Sequence, residues 1–166
     1  AAAIAAYQVG INDSQSCPAL SNIVGVKRRM DVIYASKGVT IYDDFAHHPT
    51  AIKTTLEGLR AKVGDAPIIA IIEPRSATMK MGVHQNSLAG SVASANRVLW
   101  YQNSKTDWDI EELSSAIKIP STTMGDVDQL INATVDLANS DAHIVIMSNG
   151  GFDGFHGKLI NAIENL

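Results

Sequence analysis

The spacing of apolar positions changes from segment to segment along the chain, and the changes mark out its elements. Val39-Thr40-Ile41-Tyr42 alternates apolar and polar residues as a half-buried strand does. Asp31-Val32-Ile33-Tyr34-Ala35-Ser36 precedes it, and Lys37-Gly38 between the two fits a hairpin turn, so the first pairing is expected to be antiparallel. Beyond it the period lengthens. Pro49 suits a first helical turn, and Ile52, Leu56, Leu59 and Val63 recur at helical spacing before Gly64. Ile68-Ile69-Ala70-Ile71-Ile72 is continuously apolar, the pattern of a strand buried on both faces of a parallel sheet. A weakly amphipathic helix over 84–95 and a strand over 97–101 follow. Asp109 is expected to cap a short helix through Ile117. Asp126-Val127-Asp128-Gln129 has the form of a capping box, with Val127, Leu130, Ile131, Thr134 and Leu137 on one face. A strand over 143–147 precedes a last helix carrying Phe155, Leu159, Ile163 and Leu166. Upstream, residues 1–9 favour helix and stop at Gly10, and Ser16 is placed to cap a helix carrying Leu20 and Ile23 and ending at Gly25. Helix alternating with strand from residue 49 predicts α/β: a three-layer Rossmann-like domain, its sheet mostly parallel with an antiparallel strand from the N-terminal hairpin.

Composition changes this picture little. The 166 residues suffice for one domain with a real core and part of a neighbour. Residues 1–25 are expected to be a helical tail of a preceding domain or a linker, and 26–166 the domain proper. The net charge of −4, its signs mixed along the sequence, gives neither a nucleic-acid footprint nor a polybasic membrane patch. Cys17 is the single cysteine, so no internal disulfide forms and a reducing, cytoplasmic compartment is the natural expectation. No apolar run approaches the roughly 18–20 residues that span a bilayer. The opening alanine run lacks a basic segment and reads as helix rather than signal peptide. Without an initiator methionine, the chain is expected to be a piece of a longer protein.

Three segments fall at the C-terminal ends of predicted strands, where open α/β sheets bind ligands. The first is Asp43-Asp44-Phe45-Ala46-His47-His48-Pro49-Thr50. A carboxylate there can accept from ribose hydroxyls, and a histidine can donate to phosphate or pack on a base. The plainer alternative has the aspartates capping the turn and the histidines solvated. Asp44, His47 and His48 are also hard and borderline metal ligands, with His84, His143 and His156 elsewhere. No HxxxH or HExxH spacing occurs, however, so no dedicated zinc site is expected. The second segment is 73–82, Glu-Pro-Arg-Ser-Ala-Thr-Met-Lys-Met-Gly. Arg75 offers a planar fork for a carboxylate, Lys80 a point charge, and Ser76 and Thr78 neutral donors, which suits an anionic peptide or amino acid. A solvated loop with Arg75 paired to Glu73 is the bland alternative. The third segment, 148–157, opens Ser148-Asn149-Gly150-Gly151. Glycines between strand and helix let backbone N–H groups approach an anion, or merely make a tight turn. GxGxxG is missed by one position, and on the last strand rather than the first, which disfavours a nicotinamide oxidoreductase.

Taken with Gly25-Val26-Lys27-Arg28-Arg29-Met30, these motifs resemble the C-terminal domain of the Mur ligases, ATP-dependent amide-forming enzymes of bacterial cell-wall synthesis. The 73–82 and 147–152 segments resemble the branch that joins UDP-N-acetylmuramate to the recycled tripeptide L-alanyl-γ-D-glutamyl-meso-diaminopimelate. The resemblance spans roughly residues 20–166. It implies a UDP-sugar domain, a central P-loop ATPase domain and this one, hinged near Gly25 to Arg29. It also implies phosphorylation of the muramyl carboxylate by ATP and attack of the amine on the acyl phosphate. Matching positions imply Arg29 at the ATP phosphates or ribose, Asp44 at the ribose, and His47 or His48 near the nucleotide. The tripeptide's three carboxylates suit Arg75 and Lys80, with Ser76 and Thr78 beside them and an N–H cradle at Ser148, Asn149, Gly150 and Gly151. No GxxxxGK[ST] occurs in the chain, so the phosphate loop and the magnesium ligands are expected in the central domain, and no catalytic residue is assigned here. The isolated chain is expected to be inactive. The alternatives are the alanine-adding ligase of the same family and a non-catalytic module binding an anionic peptide or nucleotide.

Overall fold

The computed structural model describes residues 2–21, 27–74, 85–102, 110–138 and 141–166. In chain order the elements are α1 (Ala2–Gln8), α2 (Asp13–Ser21), β1 (Asp31–Ser36), β2 (Val39–Asp44), α3 (Pro49–Val63), β3 (Ile68–Ile72) and α4 (Gln85–Ser91). There follow β4 (Arg97–Tyr101), α5 (Ile110–Ala116), β5 (Ser121–Met124), α6 (Val127–Leu137), β6 (Ala142–Met147), a single 3₁₀ turn at Phe152–Gly154 and α7 (Phe155–Glu164).

One six-stranded sheet runs in the order β1-β2-β6-β3-β4-β5. β1 is antiparallel to β2 and every other pairing is parallel. Lys37 (φ 52°) and Gly38 (φ 73°) both take the left-handed conformation of a twist-matched hairpin turn, as the Lys-Gly pair predicted. The period of two divides the core. Ile68, Ala70 and Ile72 face Ile52, Leu56 and Leu59 of α3, with Leu88, Trp100 and Leu113 in the same layer. Ile69 and Ile71 face the other way, onto Leu130 and Ile131 of α6 and Phe155, Leu159 and Ile163 of α7. Every residue of β3 is buried, and at about 1.5–3 kcal/mol per fully buried large aliphatic side chain this strand anchors both layers.

Ends and corners are closed by polar groups. His48 caps α3, its side chain accepting from Thr50 N, with Pro49 in the first turn. Asp126 caps α6 through Gln129 N at 2.9 Å. Lys37 Nζ donates to Ile163 O and Glu164 O at the negative end of α7. The Arg60 guanidinium bridges Gly64 O, Ala66 O, Ser94 O and Asn96 Oδ1, and Asn96 Oδ1 also accepts from Ile68 N.

Several details depart from the sequence reading. β5 has no counterpart in it. Ser121-Thr122-Thr123-Met124 carries no apolar alternation and is half-buried throughout, so its strand character comes from pairing with β4. Helix α2 starts at Asp13, not Ser16. Asn12 Oδ1 accepts from Gln15 N and Ser14 Oγ, while the Ser16 hydroxyl donates back to Asn12 O from inside the helix. Leu166 lies past α7 and is 73% exposed rather than in the core. Ile23, Gly25, His84 and Asp109 fall outside the described residues. On α1 and just after it, Ile4, Tyr7, Val9 and Ile11 are exposed.

Candidate functional site

The sheet order brings the sequence-predicted segments together. Strand β6 lies between β2 and β3, so the loops that leave β2, β3 and β6 start side by side at one edge. The helices that follow β2 and β6 pack on opposite faces, α3 on one and α7 on the other, which opens a crevice between these strand ends.

On the β2 side the turn is built by Asp44, only 4% exposed. Its Oδ1 accepts from Ala46 N at 2.8 Å and Thr55 Oγ1 at 3.3 Å, and its Oδ2 accepts from Met30 N at 2.9 Å. A carboxylate has about four lone-pair positions, so these donors occupy all but one. Phe45 N donates to Arg28 O at 2.8 Å, so the segment 28–30 lies strapped across the turn. Within the strap Arg28 (φ 60°) and Met30 (φ 54°) are left-handed, and the exposed Arg29 stands between them. Carbonyl oxygens only accept, so the 2.8 Å contact to Phe45 O puts a proton on His47 Nδ1. His48 Nδ1 instead accepts from Thr50 N. Arg29, Asp44, His47 and His48, all four nucleotide candidates, line one cleft of about 420 Å³, with Phe45, Thr50, Thr54 and Thr55 completing its wall.

On the β6 side Ser148 is fully buried. Its hydroxyl donates to Glu73 Oε2 at 2.5 Å and accepts from Gly150 N at 3.0 Å, and its backbone N donates to Asp44 O at 3.2 Å. The predicted N–H cradle is thus partly self-satisfied. Asn149 Oδ1 is different: it is buried and, among the described residues, without a hydrogen-bond partner. Gly151 has φ −78° and open space beside it, so neither backbone strain nor crowding requires glycine there. Phe152 stacks on Phe155 (4.8 Å) and packs against Tyr101 (5.2 Å), whose hydroxyl donates to Asp153 Oδ2 at 3.4 Å. Burial, helped by Asp153, pushes the Tyr101 phenol above its ordinary pKa. Arg75, Ser76, Thr78 and Lys80 lie outside the described residues.

Residues the motifs did not single out tie the two sides together. Arg28 Nε contacts both oxygens of Asp43 at 3.0 and 3.3 Å, and its Nη2 donates to Ser148 O at 2.6 Å. His156 Nε2 donates to Asp43 Oδ1 at 3.2 Å from the start of α7. Glu73, 2% exposed, closes the network from the β3 side. Two adjacent arginines and two adjacent aspartates were the available signal, but which of each pair faces inward depends on the turn. Among the described residues no group of three metal-ligating side chains gathers, and none of the helices is long and apolar enough to cross a membrane.

This is an open α/β domain with its crevice at the switch in strand order. The chain belongs to the Mur ligase family: the family's glutamate ligase domain matches residues 28–150. The UDP-N-acetylmuramate–L-alanyl-γ-D-glutamyl-meso-2,6-diaminoheptandioate ligase of Escherichia coli K12 is 44% identical over 96% of this chain, which covers 35% of that enzyme. The chain therefore spans about a third of the length of such curated relatives. The UDP-N-acetylmuramate–L-alanine ligase of Streptomyces coelicolor is 38% identical over 60% of this chain and 22% of its own. Among solved structures, a murein peptide ligase from Psychrobacter arcticus superposes with TM-score 0.79 at 43% identity, covering 99% of this chain and 36% of that one. A single domain solved from a Haemophilus ducreyi ligase of this kind matches with TM-score 0.70 at 41% identity, covering 81% of this chain and 99% of that one.

Proposed function

We propose that this chain is the C-terminal, acceptor-presenting domain of an ATP-dependent ligase of peptidoglycan recycling. The whole enzyme would join UDP-N-acetylmuramate to L-alanyl-γ-D-glutamyl-meso-diaminopimelate in the cytoplasm. ATP phosphorylates the muramyl carboxylate, and the tripeptide amine displaces phosphate from the acyl phosphate. The observation that carries the reading is the juxtaposition of a polar cleft after β2, lined by Arg29, Asp44, His47 and His48, and a loop after β6 bearing a buried unpartnered acceptor. On the cleft side Arg29 meets phosphate charge, the histidines and threonines supply polar contacts, and the last lone pair of Asp44 takes a ribose hydroxyl. On the loop side Asn149 Oδ1 accepts an N–H of the peptide, with Ser148, Gly150 and Gly151 shaping the backbone around it. Arg75, Ser76, Thr78 and Lys80 serve the peptide's carboxylates.

The described residues offer no magnesium cage, and the chain has no phosphate loop, so both are assigned to a central domain of the same protein. Residues 1–25 belong with that domain or the linker to it, their exposed Ile4 and Tyr7 giving an apolar contact. An alanine ligase that matches 91% of this chain does so at 30% identity, against 44% and 38% for two tripeptide ligases that match 96% of it, which favours the tripeptide over L-alanine as acceptor. Offering each acceptor in turn to the full-length protein with UDP-N-acetylmuramate and ATP tests the choice. Tripeptide-dependent release of phosphate is expected; turnover with L-alanine in its place would transfer the assignment to the alanine-adding enzymes.

A further inference from the structure

We propose that Arg28 is a positioning residue. It locks the strap carrying Arg29 to the loop at 148–151, so that the nucleotide and acceptor faces are held in one register. The proposal rests on the function above for the names of the two faces, but the lock itself is a matter of geometry.

The guanidinium is used as a fork. Nε lies on the Asp43 carboxylate and Nη2 on Ser148 O, joining the end of β2 to the loop after β6. The main chain of the same residue is held at both ends: its N–H donates to Asp31 Oδ2 at 2.6 Å, and its carbonyl accepts from Phe45 N. A left-handed φ of 60° at a long, non-glycine side chain persists where surrounding contacts over-determine it, and these four bonds do so. Beyond Arg28 the network runs on in two directions. Asp43 reaches His156 on α7, while Ser148 reaches Glu73 at the end of β3 and Gly150 in its own loop. The Arg28–Asp43 side chains are 29% and 14% exposed, so solvent screening weakens the charge pairing. The bond to Ser148 O depends on fork geometry rather than on net charge. Lysine, a point charge on a flexible stem, lacks the two separately placed nitrogens with which Arg28 reaches the carboxylate and the carbonyl.

Arg28→Asn and Arg28→Lys test this. Asparagine tolerates the left-handed backbone, so its effect reports the guanidinium and not strain. In the 166-residue chain, whose counterpart in a relative was solved as a single domain, the readout is amide hydrogen exchange. Both variants should speed exchange at Gly150 by about ten-fold while Ile71 in the core strand is unchanged. In the full-length ligase both should raise the tripeptide KM about ten-fold with kcat at saturation altered no more than about three-fold. Unchanged Gly150 exchange overturns the lock. A lowered melting temperature with the tripeptide KM intact overturns the positioning role and leaves Arg28 a structural residue. Should the wild-type ligase not use the tripeptide, the functional reading fails, and Gly150 exchange alone decides whether Arg28 is a lock.

Discussion

Replacing Asp44 by asparagine keeps the shape of a buried side chain and removes one of its two acceptors. The carboxylate holds three donors, Met30 N, Ala46 N and Thr55 Oγ1, divided between its two oxygens. Whichever way the new amide is turned, its NH₂ faces a backbone N–H. The better orientation keeps oxygen toward Ala46 and Thr55 and sets donor against donor at Met30. A hydrogen bond to a charged group contributes roughly 1.5–3 kcal/mol, and an orphaned buried N–H costs about 1–3 kcal/mol more. With Asp44 only 4% exposed, water does little to relieve the loss. The two effects overlap, so we expect a destabilisation of about 3 kcal/mol. In a domain of this size that is a fall in Tm of roughly 6–12 °C. Thermal unfolding followed by circular dichroism measures it, and faster amide exchange at Met30 should localise the damage to the strap. A Tm within about 2 °C of wild type, with Met30 still protected, would refute the view that this carboxylate builds the turn. Asp44 would then be largely available to a ligand.

Three further outcomes follow from other parts of the molecule. Arg60→Ala removes the bridge from α3 to Gly64, Ala66, Ser94 and Asn96, and should lower stability by about 2 kcal/mol in a urea titration without altering the cleft. Phe152→Ala empties a fully buried position between Tyr101 and Phe155, at a loss of about 3–5 kcal/mol by the same measurement. His143 gives a pH dependence: burial, with Lys62 nearby, holds its imidazole below the ordinary value of 6.5, while Asp141 opposes the shift. The unfolded chain therefore takes up the proton first. Stability contributed by the neutral ring is complete above pH 6.5 and is lost as pH falls from there toward the lower folded value. His143→Gln should flatten the melting temperature across that window; an unchanged slope would assign the dependence to another group.

How far these features could be read from sequence follows from what each depends on. β3 was legible because five consecutive buried positions leave no other use for Ile-Ile-Ala-Ile-Ile. The hairpin was legible because Lys37-Gly38 sits between two strand-like runs, and the helix start at Pro49 and the cap at Asp126 because such signals are local; His48 as the capping side chain was not read. β5 was hidden because an edge strand of Ser, Thr and Met owes its existence to a neighbour 20 residues upstream, not to its own pattern. The start of α2 was misplaced because Asn12, Ser14 and Ser16 are all competent caps and only the fold selects Asn12. At the site, the loops that matter were legible from their position after strands. The division of labour within them was not: Asp43 and Asp44 are adjacent in sequence, yet one faces Arg28 and His156 and the other faces the strap backbone. Glu73 resembled an ordinary loop acid until β6 was placed beside β3, which brings its carboxylate to Ser148.

The central claim is that the turn after β2 forms a nucleotide face and the loop after β6 an acceptor face, and the most direct test compares one residue from each. In the full-length ligase, Arg29→Gln should raise the KM for ATP about ten-fold and leave that for the tripeptide close to wild type. Asn149→Ala, which deletes the unpartnered acceptor, should do the reverse. Two variants that shift both constants together, or that exchange these effects, would contradict the assignment of the faces.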